Sequence, residues 1–170
     1  LKIPIKLKKK KNYDLIKVKG GKEFKSFNYT IPSDISSSAF FIVLTALSKK
    51  SKLLIRNINV NPSRVGIIKI LSKMGVNISL RNKKNYKGEK IADIYVESSK
   101  NLKAINCPAN LNSSAIDEFL IIFLVAAKSR GVSYFKDVSE LNQKESPRLN
   151  WGSRILNMMG VKTKLTKDSI

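Results

Sequence analysis

The stretch SSAIDEFLIIFLVAAKSRGVSYFKDVSELNQKESPR, residues 113–148, decides the fold, because an earlier part of the chain repeats its pattern. It opens on serines and two acids, runs through an unbroken apolar block at residues 119–127, and ends in a polar loop with Lys144, Glu145 and Arg148. Arg56-Asn57-Ile58 matches Lys136-Asp137-Val138 at a shift of 80 residues, as Ala46 matches Ala126. Met74-Gly75-Val76 matches Met159-Gly160-Val161 at a shift of 85. The later copy has therefore gained about five residues between its strand and its amphipathic helix, in the segment holding Lys144 and Glu145. Extra length in one copy of a repeat is a common place for function.

Working outward, residues 3–8 and 14–18 alternate apolar and polar around a lysine-rich turn, which predicts a hairpin closed by Gly20-Gly21. An extended piece over residues 27–31 ends at Pro32, and Asp34 with the serines at 36–38 offers N-caps for a helix over residues 39–47. Nearly all of that helix is apolar, so it should be buried on most of its surface. A strand at residues 53–55 leads to Asn61-Pro62-Ser63, which caps an amphipathic helix running from about Ser63 to Met74 and stopped by Gly75. Residues 76–80 and 92–96 make another hairpin, and residues 102–105 approach Pro108 in extended form. Each unit reads β-α-β-α-β-β in cyclic order, an α/β (α+β) pattern whose first helix is too apolar to stand exposed. Units of this kind should pack those helices together inside small sheets. No Gly/Ser-rich or Pro-rich linker interrupts residues 1–170, which predicts a single partial domain of about two repeats. A start at Leu1 rather than Met, and no tapering tail after Lys167, are expected of a piece of a longer protein.

Composition excludes several chemistries. The chain has no histidine and one cysteine, Cys107, so an internal disulfide, Ser-His-Asp and Cys-His catalysis, and almost every transition-metal site fall away. Neither metal nor cofactor is expected. No apolar run is long enough to span a bilayer and nothing resembles a signal peptide, so a cytoplasmic location is the expectation. The net charge of +21 is mostly lysine, with a dense run at Lys6, Lys8, Lys9, Lys10 and Lys11. A solvated lysine-rich surface is the first reading, small anionic ligands the second and nucleic acid the third. The many Asn, Ile and Lys residues point to compositional bias and favour the first.

The residues that could carry chemistry each have a structural alternative. Ser114-Ala115-Ile116-Asp117 fits a capping box, and an acid there complements the helix dipole. At a shift of 80 the matching residue is Ser37, so the fold itself does not require an acid. Glu118 reads as a solvated first-turn acid, and Lys144 with Glu145 as a surface ion pair. Ser146-Pro147 reads as N-cap and first helical residue, which leaves Arg148 in the first turn, against the dipole, unless both serve an anion. Arg64 after Asn61-Pro62-Ser63 sits similarly, so a shared structural role stays open. Trp151, Met158 and Met159 read as core.

Ile116-Asp117-Glu118 before an apolar helix, then Glu140-Leu141 and Lys144-Glu145-Ser146 with Arg148, resembles the 5-enolpyruvylshikimate-3-phosphate synthases (3-phosphoshikimate 1-carboxyvinyltransferases). Pro32-Ser33-Asp34-Ile35-Ser36-Ser37 and Asn61-Pro62-Ser63-Arg64-Val65-Gly66 are similar to the preceding repeat of that family. The resemblance implies a two-domain transferase of the inside-out barrel type with three β-α-β-α-β-β units per domain, of which this chain holds about two. It implies transfer of the enolpyruvyl group of phosphoenolpyruvate to the 5-hydroxyl of shikimate 3-phosphate, a step of aromatic amino-acid biosynthesis, by a full-length monomer. Asp117 matches the proton acceptor that contacts the shikimate hydroxyls, and Lys144 the lysine near the reacting oxygen. Glu145 matches the acid of proton exchange at the phosphoenolpyruvate methylene, and Arg148 an arginine of the phosphoenolpyruvate site. Pro147 replaces a usual acid, and Glu140 an asparagine of some members. The family's N-terminal Lys and Arg elements, Ser-Ser-Gln segment and late C-terminal cations have no counterpart here, so this segment alone should be inactive and the facing wall should come from a partner domain. Two alternatives remain: the related UDP-N-acetylglucosamine enolpyruvyl transferase, which the Lys-Glu-Ser-x-Arg loop argues against, and a basic nucleic-acid-binding module, which would need aromatics interleaved with lysines on one sheet face.

Overall fold

The computed structural model describes residues 3–21, 23 and 25–170. They fall into two compact units, Leu1–Ile31 and Pro32–Ile170. In the first, β1 (Ile5–Lys9) and β2 (Asp14–Val18) form the expected antiparallel hairpin, with Ile5 opposite Val18 and Lys9 opposite Asp14. Residues 27–31, expected to be extended, are not assigned to a strand; there the Phe27 and Tyr29 rings meet edge to face at 6.0 Å.

The second unit begins with α1 (Ile35–Leu47). Asp34 caps it, its carboxylate accepting from the Ser37 N–H at 2.8 Å, an arrangement that contributes about 1 kcal/mol. Next come β3 (Lys52–Asn59), α2 (Gly66–Lys73), β4 (Asn77–Tyr86) and β5 (Glu89–Glu97). The sheet is antiparallel, in the order β3-β5-β4. Register slips once on each side of β5, between Ile55 and Ile58 and between Arg81 and Lys84. The left-handed residues at those bulges are Asn57 (φ 54°) and Asn82 (φ 51°), a residue type that tolerates this backbone. One carboxylate on the central strand ties both, since Asp93 accepts from Asn82 Nδ2 at 2.7 Å and from the Asn57 N–H at 2.9 Å. Those two donors hold the Asp93 carboxyl below its usual range.

The second copy supplies α3 (Phe119–Lys128) and α4 (Arg148–Met158), with short 3-10 turns at Ala109–Leu111 and Ser139–Gln143. The repeat read from sequence is visible in the backbone. Asp137 (φ 57°) adopts the left-handed conformation of Asn57, and Gly160 (φ 81°) that of Gly75 (φ 86°). A parallel bridge closes each β-α-β loop, Ser33 to Ile58 around α1 and Asn106 to Tyr134 around α3. The strand positions differ. In the first copy β5 lies between β3 and β4; in the second, among the described residues, no strand lies between residues 131–138 and 161–165. The end of the chain bonds there instead, with the Phe135 N–H donating to the Ile170 carbonyl at 2.8 Å and the Val138 N–H to that of Asp168 at 2.9 Å. A cavity of about 380 Å³ stays open beside it, lined by Phe123, Phe135, Leu156 and Val161 among others.

The core lies where α1, α2, α3 and the sheet meet, around Ile42, Ile58, Ile70, Leu71, Ile94, Phe119 and Ile122. Each such side chain stabilises by about 1.5–3 kcal/mol on burial. Three expectations need correction. The apolar helix α1 is buried on one face only, for Phe40, Phe41 and Leu44 stay more than half exposed. Trp151, Met158 and Met159 are exposed rather than core, because α4 turns Leu149, Gly152, Ser153 and Leu156 inward. Helix α2 starts at Gly66, not Ser63: residues 62–64 form a turn in which the Arg64 N–H donates to the Asn61 carbonyl at 2.8 Å.

Candidate functional site

Asp117 lies in a run of turns, residues 113–118, that leads into α3. The capping box does not form. Ser114 Oγ donates to the Leu111 carbonyl at 2.9 Å, and α3 has no side-chain cap. Freed from that task, the Asp117 carboxylate faces three cations from three places in the chain. Its Oδ1 lies 3.4 Å from Lys144 Nζ and 3.5 Å from Arg148 Nη1, and its Oδ2 lies 3.5 Å from Arg64 Nη1.

Local folding explains how each cation arrives. The lengthened segment of the second copy holds the 3-10 turn Ser139–Gln143, anchored by the buried Leu141, and Lys144 follows directly. Arg148 is the first residue of α4, after Pro147, whose carbonyl accepts from the Trp151 N–H at 3.0 Å. Pro147 thus takes the cap position expected of Ser146. Arg64 is presented by its turn, which Asn61 braces by donating through Nδ2 to the Glu89 carboxylate and accepting the Lys90 N–H at 3.0 Å.

Lys144 and Glu145 do not pair with each other. Lys144 turns to Asp117, while Glu145 binds Arg148 Nη2 at 2.8 Å. The Glu145 carboxyl is held below its usual range by its own backbone N–H first and by Arg148 second. Glu118, expected to be solvated, is 4% exposed and accepts from Ser36 Oγ at 2.5 Å. Burial pushes its carboxyl up, against the opposing Ser36 bond and Arg64 charge.

All four residues singled out from sequence therefore gather in one place, and four more join them: Asp34, Ser36, Arg64 and Glu118. Arg64 Nη2 donates to Ser36 Oγ at 2.8 Å and lies 3.5 Å from Asp34 Oδ1. The sequence signal for Arg64 is its likeness to Arg148, a cation that follows a proline-containing helix-start signal. Ser36 and Glu118 stand in the motifs quoted above, but no signal pairs them, since their bond joins residues 82 apart in sequence.

Chemically, the arrangement offers a carboxylate able to accept a proton beside cations able to hold an anion. The contacts to Asp117, at 3.4–3.5 Å, are looser than the 2.8 Å pair of Arg148 with Glu145. Cations this loosely engaged can turn to an anionic ligand at little cost. Among the described residues no group of three or more His, Cys, Asp or Glu could hold a metal ion, and no helix is long and apolar enough to cross a membrane.

The sequence model of the family described as EPSP synthase (3-phosphoshikimate 1-carboxyvinyltransferase) matches residues 1–170. A relative from Ruthia magnifica subsp. Calyptogena magnifica named 3-phosphoshikimate 1-carboxyvinyltransferase is 40% identical over 151 residues, 89% of this chain and 34% of that protein. One of the same name from Legionella pneumophila (strain Paris) is 43% identical over 140 residues, 82% of this chain and 32% of that protein. Among solved structures, EPSP synthase from Acinetobacter baumannii superposes with a TM-score of 0.85 at 35% identity, over 96% of this chain and 36% of that one. The chain spans about a third of the length of the curated relatives it matches.

Proposed function

The chain belongs to the EPSP synthase family, and on that premise we propose that it is part of an enzyme that transfers the enolpyruvyl group of phosphoenolpyruvate to the 5-hydroxyl of shikimate 3-phosphate. The observation that supports this reading is the convergence of Lys144 and Arg148 on Asp117. Both substrates are anions, and the nucleophile is a hydroxyl that needs a base.

In this proposal Asp117 Oδ1 accepts the proton of the attacking hydroxyl. Lys144, already 3.4 Å from that oxygen, releases it to contact the shikimate moiety beside the reacting oxygen. Arg148 turns to phosphoenolpyruvate, and Glu145, with its side chain 84% exposed, exchanges protons at the methylene carbon. As Glu145 protonates the methylene carbon to a methyl group, the hydroxyl oxygen bonds to the phosphate-bearing carbon of phosphoenolpyruvate and a tetrahedral intermediate results. Return of a methyl proton to Glu145 with expulsion of phosphate then forms the enol ether of the product.

We place residues 1–170 within one domain as about two of its three repeats. The outward-facing Phe40, Phe41 and Leu44 of α1 offer a surface for a third. The facing wall of the cleft belongs to the partner domain, the full-length protein is a cytoplasmic monomer, and this segment alone is inactive. The test is phosphate release by the purified full-length gene product from phosphoenolpyruvate with shikimate 3-phosphate, and separately with UDP-N-acetylglucosamine. Turnover with the first acceptor is expected. Turnover with the second alone, or with neither, overturns the reading. Asp117→Ala should lower kcat by at least about a hundredfold, the low end of what general-base catalysis contributes.

A further inference from the structure

We propose that Arg64 is the positioning residue of the candidate base Asp117: it holds Oδ2 from behind so that Oδ1 stays directed at the reacting hydroxyl. This rests on the reading of Asp117 as proton acceptor given above.

Three cations face Asp117, but they are not equivalent. Lys144 and Arg148 approach Oδ1, and in the proposed reaction both leave it for substrate anions. Among the described residues Arg64 alone approaches Oδ2, and it is tethered on its far side. Its Nη2 donates to Ser36 Oγ at 2.8 Å and lies 3.5 Å from Asp34 Oδ1, both residues belonging to the N-terminal end of α1. The Ser36 hydroxyl donates its hydrogen bond to the buried Glu118 side chain at 2.5 Å, which fixes its lone pairs toward the guanidinium. Glu118 neighbours Asp117 in sequence, so the chain of contacts returns to the turn that carries the base.

The backbone supports the same conclusion. Arg64 stands in a turn braced by Asn61 against Glu89 and Lys90. Two residues later, the Gly66 N–H donates to the Ser114 carbonyl at 3.0 Å, three residues before Asp117. Arg64 and Asp117 are thus held on two backbones that touch. A planar guanidinium can span a carboxylate on one side and a hydroxyl on the other, which an ammonium cannot do in the same geometry. When substrate anions draw off Lys144 and Arg148, Arg64 is the one cation in contact with Asp117 that has reason to stay. Without it the carboxylate is free to rotate, and misplacement by about 1 Å is enough to cost roughly a hundredfold in rate.

The test uses the full-length gene product with Arg64→Ala, Arg64→Lys and Ser36→Ala. With wild type active, Arg64→Ala should lower kcat by about a hundredfold while both KM values stay within about threefold, the signature of an interaction that matters in the transition state. Arg64→Lys should recover only part of the loss, and Ser36→Ala, which cuts the tether but keeps the charge, should lower kcat by about tenfold. A thermal-denaturation cycle of Arg64→Ala, Asp117→Asn and the double variant, independent of turnover, should show that the two residues are coupled. Unchanged kcat, a loss confined to KM, or additive effects in the cycle overturn the proposal. An inactive wild type with the coupling intact overturns the functional reading instead and leaves the Arg64–Asp117 contact as structure only.

Discussion

A Cβ built on Gly66 would lie 2.6 Å from the carbonyl carbon of Ser114, so α2 meets the turn before Asp117 backbone to backbone. Backbone cannot yield as a flexible side chain can, and Gly66→Ala must therefore separate the two segments. We expect a loss of about 1–3 kcal/mol in stability, checked by chemical denaturation of the full-length protein. Turnover should fall further than stability alone accounts for, since the same shift withdraws Arg64 from Asp117.

Glu118 makes stability depend on pH with a definite sign. Burial favours its neutral form, so the folded chain holds that proton more tightly than the unfolded chain does. Its contribution is fully present at low pH and is lost as pH rises above the ordinary glutamate value of about 4.3. Glu118→Gln keeps an acceptor for Ser36 but removes the titration. Melting temperatures of wild type and variant, compared from pH 4 to pH 8, should move in favour of the variant as pH rises; parallel curves would exclude a titrating Glu118 from the balance.

Cys107 is 5% exposed, and burial pushes its thiol up to about 11. Since the thiolate is the reactive form, the folded protein should resist iodoacetamide at pH 7.5 and label rapidly once denatured. Peptide mass spectrometry of the 107-containing fragment checks this. Fast labelling of the native state would contradict the burial.

The repeat was legible in the sequence because matched residues impose matched backbone conformations. Asn57 and Asp137, and Gly75 and Gly160, are residue types that enter the left-handed region readily, and all four do so. The site was legible only in part. Asp117, Lys144, Glu145 and Arg148 lie within one stretch and carry a recognisable order, so the sequence could group them. The other half, Asp34, Ser36 and Arg64, reaches them across the repeat through contacts such as Ser36 to Glu118, which no local spacing encodes. The capping-box reading failed for a similar reason. Ser114 found the Leu111 carbonyl, and Asp117 found cations from elsewhere in the fold. Burial along α1 is not readable from its apolar character, which says that a side chain wants cover, because the cover comes from other segments.

The outward turn of Phe40, Phe41 and Leu44 on a chain of net charge +21 sets two forces against each other in solution. Charge repulsion keeps copies apart while the ionic strength is low, and added salt shortens its reach to about 8 Å at physiological strength. The exposed rings keep their attraction under the same conditions. Expressed by itself, this segment should therefore lose solubility as salt rises, so dilute buffer rather than saline should suit its handling.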